Sequence, residues 1–176
     1  MTRTMLGISL LLGSLCSEQH PHTPAQPASL AGESAHHAFL EQERAAIERG
    51  EGFGMAMPAD RAGYPGPKHV LELKDQLKLT PGQTSAMEKL FAEMNRKAVE
   101  RGREVLLAEQ RLADYFAEGR SEAELREETY RVATLRAELR WVHLGTHLAA
   151  RKLLTPLQLE AYQRLRYGTS TNGHVH

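Results

Sequence analysis

His143 and His147 stand four residues apart in a stretch of helical periodicity, so their imidazoles share one face and can chelate a borderline ion such as Zn, Ni, Co or Cu. His69 and Glu72, three apart in a second such stretch, would complete the coordination sphere if the two stretches pack together. The competing reading is structural: both histidines of the pair are half-buried and hydrogen-bonded to a carboxylate or the backbone. Met55 and Met57 offer soft sulfur suited to Cu(I), against their ordinary use as adaptable core filling. The chain has nine histidines in all. His20 and His22, His36 and His37, and His174 and His176 read as solvated polar tails with weak metal affinity at most.

Other chemistries find less footing. No Ser or Cys nucleophile sits beside a credible base, which argues against an enzyme. The run from Gly50 to Pro58 has the glycines of a phosphate loop, but no strand precedes it and no Lys-Ser/Thr follows. Formal net charge is zero with histidine neutral, so there is no nucleic-acid footprint. The histidines make that charge sensitive to pH between about 5 and 7. A single cysteine, Cys16, rules out an internal disulfide and leaves the core to packing.

These residues need elements to position them. Residues 1–16 carry Arg3 and the apolar run Leu6 to Leu15, too short to span a bilayer, and read as a secretory leader. Lipid attachment at Cys16 would anchor the protein to a membrane, although Leu15 replaces the small residue expected there. Cleavage around Ala25 to Ala31 is the alternative. Residues 17–35, rich in Pro, Ser, Ala and His, read as a disordered arm, and 168–176 as a disordered tail. Between them, 36–167 form one helical domain.

The phrase Leu79-Thr80-Pro81-Gly82-Gln83 recurs as Leu154-Thr155-Pro156-Leu157-Gln158. Each copy has a Thr to cap a helix, a Pro at its first position and a Gln that reaches back, so each is a capping box that starts a helix. Leu154 and Leu159 also stand as a hydrophobic staple in the second copy. Ser121 to Glu124 makes a third box. The predicted helices are 36–49, 68–78, 81 to a stop at Gly119, 121–152 and 156–166. The seam of the long first arm takes Met87, Phe91, Met94, Ala98, Val105, Leu112 and Phe116. Trp141, Leu144 and Leu148 lie off the seam of the second arm and require cover from the short helices or a second subunit. Leu159, Tyr162 and Leu165 are expected to face inward from the last helix. The fold class is all-α, a long antiparallel helical hairpin flanked by short helices. So thin a body buries its seams economically as a homodimer.

A secretory leader, an all-helical body and two Leu-Thr-x-x-Gln phrases at helix starts resemble the Spy/CpxP family, over approximately Gly50 to Tyr167. The resemblance implies a periplasmic protein, a curved helical dimer and no catalysis. It implies one of two roles: an ATP-independent chaperone for unfolded clients within the envelope stress response, or a transition-metal binder in resistance or sensing. No cofactor is required for the first. In the metal-sensing branch, His and a carboxylate from an early helix join His and a second ligand just before the second phrase. His143 and His147 match the late position, and His69 and Glu72 are the early candidates. A client surface needs an exposed apolar patch rimmed by charge. Arg96, Lys97, Arg101 and Arg103 beside Val99, Leu106 and Leu107 could supply it, or could simply be a charged solvent face.

Overall fold

The computed structural model describes residues 28–168, and every regular element among them is an α-helix. In chain order these are α1 (Ala28–Glu48), α2 (Met57–Arg61), α3 (Pro67–Glu72), α4 (Pro81–Ala117), α5 (Glu122–Lys152) and α6 (Pro156–Tyr167). The 37 residues of α4 reach about 55 Å at 1.5 Å per residue. The leader, most of the arm, Cys16, His20, His22, His174 and His176 lie outside the described residues.

All three capping boxes form. Thr80, Ser121 and Thr155 each accept from the backbone N–H three residues on, while Gln83, Glu124 and Gln158 each accept from the backbone N–H of the cap. Donors that a helix start leaves orphaned are thereby satisfied. At the other end of α4, Gly119 takes φ 66°, and the following Arg120 N–H returns to the Tyr115 carbonyl at 3.0 Å. That left-handed step is cheap only for glycine and turns the chain into α5.

α4 and α5 pack along each other in antiparallel sense, with two buried clusters between them and their neighbours. One joins α3 to α6 through Val70, Leu77, Met87, Ala150, Leu154 and Tyr162, with Leu159 packed against it. The other brings Ile47 of α1 against Ala98, Val105 and Leu139. Gly102 makes that second contact close: a Cβ there would lie 2.8 Å from both the Ile47 Cγ2 and its carbonyl oxygen. Arg136 of α5 ties the three helices together, reaching Glu109 at 2.6 Å and Glu43 at 3.0 Å.

Several expectations need correction. α1 begins at Ala28 rather than His36, the Ala and Leu residues of its first turns favouring helix despite Gly32. The predicted 68–78 helix ends at Glu72 and continues as turns, closing where Lys78 takes φ 50°. The turn α2 within the Gly- and Pro-rich stretch has too few residues to show periodicity. Phe116 and Leu165 are exposed, not inward. Of the two covers expected for Trp141 and Leu148, the short helices do not supply one: within the chain these residues are 61% and 41% exposed.

The repeated phrase does more than start two helices. Gln83 Nε2 donates to the Leu153 carbonyl and to Gln158 Oε1, both at 2.8 Å. In return, Gln158 Nε2 donates to the Leu77 carbonyl at 3.3 Å and to Gln83 Oε1 at 3.0 Å. Each glutamine therefore caps its own helix and clasps the other's approach.

Candidate functional site

Beside the clasped end of α4 and α5 lies a cavity of about 610 Å³ that His69, His143 and His147 all line. Glu72, exposed at the end of α3, is not part of its wall. Of the four residues singled out by spacing, the fold thus brings three to one cavity.

α5 carries His143 and His147 one turn apart, and the segments between α1 and α3 fold over both. Gly52 lies against His143 so closely that a Cβ there would sit 3.2 Å from its Nδ1. Gly66 does the same for His147, with 2.8 Å to Nε2. Any larger residue at either position would push its imidazole aside. The carbonyl of Tyr64 meets His147 Nδ1 at 2.6 Å. A carbonyl only accepts, so Nδ1 is the donor in this bond. One turn further on, Arg151 donates to the Gly63 carbonyl at 2.5 Å and lies 4.6 Å from the Tyr64 ring centroid. The connection between α2 and α3 is thereby fastened to α5.

His143 is the most enclosed of the three, 4% exposed, and its Nε2 has no hydrogen-bond partner among the described residues. Burial pushes its pKa below the ordinary histidine value, and the neighbouring His147 adds to the effect, so the ring is neutral at pH 7. A buried polar atom without a partner is a cost the fold carries. His69 is also shifted down, first by burial and then by Arg166, against the opposing pull of Asp60 and Glu72.

The carboxylate beside this group is one that spacing does not reveal. Asp60 of α2 is 7% exposed and accepts from the Tyr162 hydroxyl at 2.7 Å and the Tyr167 hydroxyl at 2.5 Å. Arg166 and His69 each approach Asp60 Oδ2 at 3.8 Å. One carboxylate thus fastens α6 to α2. The Tyr162 pKa is pushed well above the tyrosine range, chiefly by burial and then by its bond to Asp60. Sequence offers little warning of this hub, since Asp60 is a lone acid among Ala, Gly and Pro. The glycines of the Gly50–Gly54 run did carry a signal of close approach: Gly52 lies against the His143 imidazole, and Gly50 against Asn95 and Val99 of α4.

For a metal ion the cavity offers imidazoles, with burial disfavouring the charged form at His69 and His143. Among the described residues no three His, Cys, Asp or Glu side chains are grouped to hold one. Both Asp60 oxygens are already taken by tyrosine hydroxyls. Metal binding here would use two imidazoles with solvent completing the sphere. Met55 packs against the core cluster of α1, whereas Met57 is exposed at the cavity wall.

On α4, three of the four basic residues of the expected client patch are paired, Arg103 being the exception among the described residues. Arg96 meets Glu93 and Glu100, Lys97 meets Glu93, and Arg101 meets Glu104 and Glu138. Val99, Leu106 and Leu107 line a groove shared with Leu40 and Ile47 of α1. The more open apolar face belongs to α5. There Ala137, Trp141, Leu144 and Leu148 recur at spacings of three and four, and Tyr130, 68% exposed, stands two turns before Ala137. None of the described helices is long and apolar enough to cross a membrane. Comparison with protein families, characterised proteins and solved structures finds no match.

Proposed function

We propose that the protein is a non-enzymatic, periplasmic helical protein of the Spy/CpxP type that holds non-native proteins without ATP, working as a dimer in the envelope stress response. The observation that carries this reading is the uncovered α5 stripe centred on Trp141. A contiguous apolar face bordered by Arg131, Glu138 and Arg140 suits transient contact with exposed hydrophobic segments, the charged border keeping the free protein soluble. The test is suppression of light scattering by reduced α-lactalbumin. Stoichiometric amounts of the protein should delay aggregation, and the Trp141→Glu/Leu148→Glu variant should do so much less. No delay at stoichiometric amounts sinks the reading.

A second reading, a transition-metal sensor or scavenger, is favoured by one observation: His69, His143 and His147 share a cavity, and His143 Nε2 is unpartnered. Calorimetric titration with Zn, Ni, Co and Cu should show micromolar binding that the His143→Ala/His147→Ala variant loses. Binding that survives the double substitution rules the pair out.

A further inference from the structure

The cavity under the Gly50–Gly54 loop has a second character that its histidines do not explain. Arg49, Arg61, Lys68 and Arg166 line it, opposed by Glu51 and Asp60. Arg49 is paired with Glu51 at 2.9 Å, and Arg166 approaches Asp60. Arg61 and Lys68 make no ion pair among the described residues and are exposed to solvent. The wall between these charges is apolar, formed by Phe53, Met57, Phe91 and Met94.

We infer that this cavity binds a small organic anion, a carboxylate with an aromatic or aliphatic body, its charge met by Arg61 and Lys68 and its body lying on the Phe91 and Met94 wall. Three features support that assignment over a bare cation. The volume of about 610 Å³ falls within the roughly 300–1,000 Å³ of cavities that hold small organic molecules, and far exceeds what an ion needs. The unpaired charges of the wall are cationic, so they repel a metal ion and attract a carboxylate. His143, enclosed and neutral, lines the same cavity, and its buried Nε2 has no partner among the described residues, so a polar group brought to it would relieve a cost. The loop over the cavity is also strained. Phe53 is held at φ 38°, a conformation unfavourable for a bulky residue, with its ring 5.4 Å from that of Phe39. This assignment stands apart from the client-holding reading, which uses the opposite face of α5, that of Trp141 and Leu148.

The test titrates the full chain with 2-naphthoate and with its neutral counterpart 2-naphthamide, read by calorimetry and by the His143 imidazole signals in NMR spectra. Naphthoate should saturate at one per chain, bind about tenfold or more tighter than the amide, and move the His143 signals. Arg61→Gln/Lys68→Gln, two exposed changes checked for unaltered melting, should weaken it by about tenfold or more, the scale expected for lost charge-assisted hydrogen bonds. Four results overturn the inference: no saturation, equal affinity for the amide, undiminished binding by the double variant, or loss of binding only on Trp141→Glu. Zn2+ alone moving the His143 and His147 signals, while naphthoate leaves them still, assigns the cavity to metal and likewise overturns it.

Discussion

Asp60 has a single short side chain and four neighbours contending for it, which makes it the residue where one atom matters most. Tyr162→Phe keeps the ring that fills the core and removes only the hydroxyl, leaving Asp60 Oδ1 buried without that donor. The expected cost is about 1–3 kcal/mol. The same pair predicts an alkaline dependence. Because the Tyr162 pKa is raised in the fold, the folded state holds its proton where the unfolded chain releases it. Its stabilisation is therefore complete below about pH 10 and drains away as pH rises further. Melting temperatures followed upward from pH 8 should fall less steeply for Tyr162→Phe than for the native chain. An equal fall in both would remove Tyr162 as the cause. At this scale the sequence showed the His143 and His147 pair because four-residue spacing on a helix is local information. It hid Asp60, whose partners Tyr162 and Tyr167 lie about a hundred residues away.

Among the elements, the helix starts were legible because a capping box is complete within four residues. Thr80, Ser121 and Thr155 all serve as read. The end of α3 was not legible, since Leu73 and Leu77 continue a helical apolar pattern even though the backbone there turns. Nor was the reason for repeating the phrase, which depends on two helix starts meeting in space. The meeting is testable through Gln83 and Gln158. Each single change to Ala removes the reciprocal half of a capping box and two long-range donations, at an expected cost of about 1–3 kcal/mol. Both also destroy the same mutual bonds, so the double variant should cost less than the sum, by about 0.5–3 kcal/mol. Denaturant melts of the four proteins give that difference. Strict additivity would mean that the glutamines act only as separate caps.

The molecule as a whole was legible as all-α from period and composition, and the buried seam positions Met87, Met94, Ala98, Val105 and Leu139 follow the same pattern. Which other faces are covered was not legible, because an apolar residue off the seam reads alike whether a neighbour packs on it or not. Trp141 shows this, as the loop at Gly52 settles over His143 and leaves Trp141 open on the opposite face of α5. The Trp141→Glu/Leu148→Glu variant used to test client holding should therefore melt within about 0.5 kcal/mol of the native chain. A larger loss would show that this face supports the fold.

The glutamine clasp also sets what the chain is free to change. Gln83 and Gln158 touch although 75 residues separate them, so everything between is an excursion that leaves one anchorage and returns to it. Insertion of matched whole heptads into both arms would preserve the anchorage, the seam and the cavity beside it, altering only the reach. Arm length is in that sense a dial, and the twin phrase is the hub on which it turns.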